Sequence, residues 1–264
     1  MPAYNAEKYI GEAIESILGQ SYSDFELIIA NDCSTDATLR IIEDYAKKDG
    51  RIIPINNEKN LNIALNRSLL ISLAKGKYIA WQDADDISLL HRLERQYNLM
   101  EENGEVGICG GWLHFFDDKG KINSIRRYKA TDAEVRSTIF RYSPVAQPCA
   151  MIRRSILEEI GFYDLHYPPA EDLDMSFRIG KKHKFANLQE VLVKYRENPS
   201  GATFTRLSTM EYCTFSIRLR YSDGVHYKMS LFDHIYNITQ YISTLVIPPK
   251  LKIFLFNFVR NSKK

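Results

Sequence analysis

Three carboxylates fall within four positions in Asp83-Ala84-Asp85-Asp86. Like charges at that spacing repel one another and resist desolvation, so folding alone does not ask for them. A hard divalent cation does, because Mg2+ or Mn2+ is held by one or two carboxylates and completed by substrate phosphates. The competing reading is a solvated acidic turn leading into the next helix. Asp32, in the polar loop 31–36, raises the same question more weakly, since an isolated loop Asp is ordinarily a turn or cap residue. Glu171-Asp172 follows Tyr167-Pro168-Pro169-Ala170 at an expected helix start. A carboxylate there reads first as an N-cap, stabilised by the free N–H groups of the helix end. The alternative is a general base presented on a rigid element.

The elements that must carry these residues follow from pattern. Tyr78, Ile79, Ala80 and Trp81 form a short apolar run that predicts a buried strand, with the three carboxylates directly off its end. Residues 25–30 predict another strand, with Asp32 just beyond it. Helices are expected at 7–18, 36–48 and 61–74, the last closed by Gly76, and a further strand at 52–55. This alternation implies βαβ units and a mostly parallel sheet, so both acidic groups should emerge on one sheet edge. After Asp86 the rhythm changes: a helix at 89–102, strands at 106–116 and 122–128, a helix from Thr131 to about 141, short pieces to Gly161, a helix at 173–181 and a last strand at 191–195. Beyond residue 205 no strand signal is evident, and two or three helices are expected.

Composition sets outer limits. A chain of 264 residues, 45% hydrophobic, suits one large domain with an extension. A net charge of +2 argues against a nucleic-acid partner. Cys33, Cys109, Cys149 and Cys213 show no metal-ligand spacing and read as reduced thiols of a cytoplasmic protein. No signal peptide opens the chain, and no apolar run is long enough to span a bilayer.

Taken in order, Pro2-Ala3-Tyr4-Asn5, the segment 31–36, Lys75-Gly76-Lys77-Tyr78, Asp83-Ala84-Asp85-Asp86, the segment 148–154 with Gly161-Phe162-Tyr163-Asp164, and Glu171-Asp172 resemble the family 2 glycosyltransferases, inverting enzymes of the GT-A fold. The resemblance covers about residues 1–200. It implies an α/β GT-A domain, a mostly parallel central sheet flanked by helices, over 1–203, followed by a helical extension over 204–264. It also implies roles. Ala3, Tyr4 and Asp32 would line the nucleotide base, with Glu7 bordering that pocket. Asp83 matches the first acid of the DxD motif, near the ribose and metal. Asp85 matches the second, expected to bind Mn2+ or Mg2+. Asp172 matches the general base.

The expected activity is transfer of a single sugar from a nucleotide-sugar, a UDP-sugar first, to a hydroxyl of a carbohydrate or lipid-linked acceptor in cell-surface polysaccharide or glycolipid synthesis. No processive-synthase signature appears. Two departures from the family pattern stand out. An apolar strand normally precedes the Pro-x-Tyr-Asn turn, so either the natural start lies upstream or the sheet lacks a strand beside the nucleotide pocket. Asn62 stands where glycine is usual, and Asn tolerates the left-handed conformation that such a turn needs. Other readings are a sugar nucleotidyltransferase, which would want a Gly-rich basic loop near the N-terminus, and a non-catalytic protein that keeps the fold. After Asp233 the tail carries no acid, and its Lys and Arg residues lie among Phe and Leu. That pattern suits either a peripheral membrane surface or a packing helix, including one that forms a homodimer. His166 is of interest for its position just before Glu171.

Overall fold

The computed structural model describes residues 1–119, 122–197 and 205–263. Three parallel strands, β1 (Pro2–Ala3), β2 (Leu27–Asn31) and β3 (Ile52–Asn56), form the first sheet in that order. Both faces of β2 are apolar because both are covered. Leu27 and Ile29 pack with Ile10, Ile14 and Ile17 of α1 (Ile10–Leu18) and Ile42 of α2 (Thr38–Ala46). Ile28 and Ala30 face the other way, onto Leu70 and Ile71 of α3 (Asn62–Leu73). Asn62 opens α3 with φ 64°, the left-handed conformation expected of it. Gly76 is not the cap of that helix, which ends at Ala74 in extended conformation.

The larger sheet is mixed. Its core is β6 (Val106–Phe116), which pairs parallel with β9 (Lys184–Arg196) and antiparallel with β7 (Asn123–Arg126) and β8 (Met151–Arg153). On the far side of β8 lies β4 (Tyr78–Ala80), antiparallel to it, while β5 (Ile87–Ser88) pairs with β9. Among the described residues the first sheet is wholly parallel, and in the larger one only β6 and β9 pair in parallel. β2 and β4 belong to different sheets, contrary to the single edge expected from the sequence. β1 contributes only two residues of ladder, and a cleft of about 630 Å³ separates β2 from β4. The Met1 ammonium is buried beside this cleft, donating to Ile28 O at 2.7 Å. Burial lowers its pKa to about 5.

Helices α4 (Arg92–Glu102), α5 (Asp132–Arg136), α6 (Arg154–Ile160) and α7 (Glu171–Gly180) cover the larger sheet. α5 starts with the expected cap, Thr131 accepting from Glu134 N, but ends well before residue 141. β9 is far longer than the apolar stretch 191–195, since polar Lys184, Gln189 and Glu190 occupy positions in the ladder that pattern alone does not mark as strand. Among the described residues three helices follow, α8 (Leu207–Tyr221), α9 (Leu231–Val246) and α10 (Pro249–Arg260), then a short strand, β10 (Asn261–Lys263), antiparallel to β7. That strand was not foreseen, because its residues are polar. The domain boundary expected near residue 203 lies outside the described residues. Among the described residues no helix is long and apolar enough to cross a membrane.

Candidate functional site

The residues given a role by the family resemblance, Ala3, Tyr4, Glu7, Asp32, Asp83, Asp85 and Asp172, line one continuous cavity of about 1080 Å³. β1 delivers Ala3 to its floor and leaves Tyr4 exposed at its mouth. The Tyr4–Glu7 turn is laced to the loop after β2. Asn5 N donates to Ser34 Oγ (3.0 Å), Ala6 N to Thr38 Oγ1 (2.8 Å) and Glu7 N to Asp36 Oδ2 (3.1 Å), while Glu7 Oε2 accepts from Ala37 N (2.9 Å). Asp32 is buried and heavily engaged. Its Oδ1 accepts from Asn57 Nδ2 and Leu61 N (both 2.9 Å), and its Oδ2 from Asn62 N (3.1 Å). It thus fixes the loop 57–62 that walls this end, beyond the turn role first assigned to it.

Behind the acidic loop stands a buried scaffold. Arg92, wholly inaccessible, donates to Trp81 O (2.5 Å), Gln82 Oε1 (3.0 Å) and Ser88 Oγ (2.7 Å). Gln82 in turn donates to Asp86 O (2.7 Å). Asp86 neither faces the cavity nor caps α4. Its Oδ1 accepts from Arg196 N at 2.8 Å and its Oδ2 has no partner. Burial first, then Asp83 and Asp85, raises its pKa well above the usual range. Arg196 Nε also holds Asp85 O (3.0 Å), so the end of β9 sets the shape of the loop. Asp83 and Asp85 remain partly exposed on the cavity side.

Arg67 was missed from sequence. It lies on the inner face of α3, sits 5.5 Å above the Trp81 ring, and bridges the two acidic clusters. Nη2 meets Asp83 Oδ1 at 3.3 Å and Nη1 meets Glu171 Oε1 at 2.8 Å. Burial alone would lower the Arg67 pKa, but Asp83 and then Glu171 more than offset it. No local signal marks it, since α3 buries the polar Asn66 beside it as well as Ala64, Leu70 and Ile71. Asp172 lies next to this pair in the first turn of α7. Ala170, not Asp172, occupies the cap position, while the Asp172 carboxylate faces the first-turn amides of Leu173 and its own residue. Burial and the adjacent Glu171 raise the Asp172 pKa to about 6, with Arg67 pulling in the other direction. His166 is not part of the site; its ring is exposed and pairs with Asp164 at 2.7 Å.

An α/β sheet flanked by helices, with acidic residues lining a cavity beyond its strand ends, is the architecture of a GT-A type glycosyltransferase domain. Solved structures agree on the fold. The mannosyltransferase PcManGT of Pyrobaculum calidifontis, in complex with GDP-Man and Mn2+, aligns with 98% of this chain and 78% of its own at TM-score 0.69 and 14% identity. S. aureus TarS residues 1–349, in complex with UDP-GlcNAc, aligns with 90% of this chain and 77% of its own at TM-score 0.60 and 20% identity. The chain belongs to glycosyl transferase family 2, whose model matches residues 1–161. An uncharacterized glycosyltransferase of Methanocaldococcus jannaschii is 32% identical over 94% of this chain and 88% of that protein. The glycosyltransferase EpsE of Bacillus subtilis is 34% identical over 89% of this chain and 84% of its own. The protein is a glycosyltransferase.

Proposed function

We propose that this enzyme transfers a single sugar, with inversion, from a nucleotide-sugar of the UDP class to an acceptor hydroxyl in the synthesis of a cell-surface polysaccharide or glycolipid. The observation that carries the reading is the shared cavity: Asp32 at one end, Asp83 and Asp85 in the middle, Asp172 beyond them. Asp172 takes the proton of the acceptor hydroxyl as that oxygen attacks the anomeric carbon from the face opposite the leaving diphosphate. A base near pH 6 can do this at physiological pH. Ala3, Tyr4, Glu7 and Asp32 form the base-and-ribose end, with Asp83 at the ribose. The UDP-GlcNAc complex of TarS and the GDP-Man complex of PcManGT support a nucleotide-sugar donor.

The donor set fits Mn2+ or Mg2+. Asp83 and Asp85 offer hard oxygens toward the cavity, and among the described residues no cluster of three or more His, Cys, Asp or Glu residues could hold an ion unaided. Such a site needs substrate phosphates to complete it, as these ions prefer. When bound, the ion would offset charge on the leaving diphosphate. Titration calorimetry with UDP, GDP and dTDP, with and without Mn2+, tests this. UDP binding should require Mn2+ and weaken about 10-fold or more in Asp85→Ala. No nucleotide binding under any condition would end the reading. The nucleotidyltransferase alternative finds no support, because the amides of Asn5, Ala6 and Glu7, which would cradle a triphosphate, are already bonded to side chains.

The proposed location is the cytoplasm, in keeping with four unpaired cysteines. The helical extension, 204–264, is proposed to face the acceptor. Of its cations, Lys252 is buried and Arg260 stacks on Tyr142, in keeping with the packing-helix alternative, while Lys250 is exposed. What α9 exposes is apolar. Leu231, Ile235, Ile238, Ile242 and Leu245 recur at alternating spacings of four and three, the pattern of a helix seam. The partner we infer is a second copy of the chain. Sedimentation should find a dimer that Ile238→Lys dissociates. A monomer that floats with anionic vesicles would replace this reading with the membrane one.

A further inference from the structure

The cavity does not stop at Asp172. It runs on between β6, β7 and the C-terminal helices, where Arg126, Arg141, Arg206, Arg218, Lys252 and Arg260 line it against only Glu197 and Glu211. Three of these cations have their own partners or exposure: Arg141 pairs with Asp233 (2.9 Å), Lys252 with Glu211 (3.5 Å), and Arg206 is exposed. Among the described residues the other three have only amide or aromatic partners. Arg218 is 7% exposed, gives Nη1 to the amide oxygen of Asn237 (3.0 Å), and leaves Nε buried without a partner. Arg260 lies 3.9 Å from the Tyr142 ring centre, again with Nε buried and unbonded. Arg126 donates to Asn261 Oδ1 (2.9 Å) and Asn257 Oδ1 (2.6 Å) and lies over Phe115 (4.4 Å). Among the described residues no carboxylate comes within ion-pair distance of any of the three. Asn257 stands between Arg126 and Glu197 instead.

Buried guanidinium groups without counter-charge are costly, and aromatic faces and amide oxygens offset only part of that cost. Burial lowers the pKa of both Arg218, to about 10, and Arg260, whose neighbour Arg126 adds to the effect. Glu211 and Asp233 act on Arg218, and Glu197 on Arg126, only from beyond ion-pair distance, which leaves donors of the chamber open to an anionic ligand. A carboxylate would satisfy one fork; three forks around one chamber suit a group with several anionic oxygens. We propose that the chamber walled by α8, α9 and α10 binds a phosphate group carried by the acceptor, held by Arg126, Arg218 and Arg260. The assignment to the acceptor rests on the reading of Asp172 as the base, since the chamber opens on its side of the cavity.

The test titrates methyl phosphate into the full chain already saturated with UDP and Mg2+, so that the donor end is filled. A second arm replaces methyl phosphate with phosphatidylcholine vesicles containing phosphatidate. Binding of methyl phosphate assigns a soluble phosphate, and binding of the phosphatidate vesicles alone assigns a lipid headgroup; either supports the chamber. Arg260→Gln and Arg126→Gln should each weaken binding about 10-fold or more, as loss of a charge-assisted hydrogen bond does. Arg260→Lys should restore most of it, and UDP affinity should not change. These two residues are less enclosed than Arg218, whose variants could fail to fold. Absence of phosphate binding in both arms, or equal binding by the Gln variants, overturns the proposal while leaving the sugar-transfer reading standing. Failure of UDP to bind the unaltered chain overturns that reading instead.

Discussion

Asp172→Asn should keep donor affinity while turnover falls by about 10²–10⁴, the usual worth of a positioned general base. The change is nearly isosteric, and the amide oxygen can still accept from the Leu173 N–H that the carboxylate faces. A structural role would therefore show up in folding and donor binding, and a chemical one in rate alone. The pH profile gives a second reading of the same group. With a pKa raised to about 6, the carboxylate is the minority form below that pH, so turnover should rise as pH passes through 6 and then level off. Stability runs the opposite way. A carboxyl raised from 3.8 to about 6 contributes stability that is fully present below pH 3.8 and lost as pH rises through 6. Activity and this part of the stability therefore trade against each other in the window 4–6. Near-normal turnover in the Asn variant, or an acid limb near pH 4, would remove Asp172 from the role.

Arg67→Met should be the most damaging single change to the fold around the site. Removing one partner of a buried ion pair leaves the others uncompensated, and here one guanidinium serves both Asp83 and Glu171. The expected loss is about 3–5 kcal/mol. For a chain of this size that is a fall in Tm on the order of 10 °C, measured by calorimetry without metal. Loss of the Arg67 charge should also move the acid limb of turnover upward, because Arg67 holds the Asp172 pKa down. Arg67→Lys should recover part of both effects, since an ammonium keeps the charge but not the fork. A Tm within a degree of the parent would mean that Asp83 and Glu171 are solvated and that the bridge is incidental.

The sequence made legible what repeats or alternates. The apolar faces of α1 and α3, the strands β2, β3 and β6, and the acidic residues beyond β2 and β4 all follow from local pattern. The ordered set of short motifs then identified the family, which no single motif could. What stayed hidden depends on long-range contact. Asp86 looked like its neighbours, yet its partner is the amide of Arg196, more than a hundred residues away. Arg67 and Arg92 were unremarkable until α3 and α4 turned them inward onto Asp83 and Gln82. In the tail, local pattern left a membrane surface and a packing helix equally open, because which way Lys252 and Arg260 turn depends on α8, α9 and β7. Both line the cavity, while Phe254, Phe258 and Val259 are exposed.

The Arg67 bridge has one more implication, for the order in which substrates are felt. In the function proposed, Asp83 serves the donor end and Glu171 adjoins the acceptor end, and Arg67 is the counter-charge both share. Any cation that arrives beside Asp83 changes the field at Glu171 and hence the basicity of Asp172. Linkage makes that influence reciprocal: the protonation state of Asp172 must alter affinity on the donor side by the same factor. Donor loading and readiness to deprotonate an acceptor are then two faces of one equilibrium.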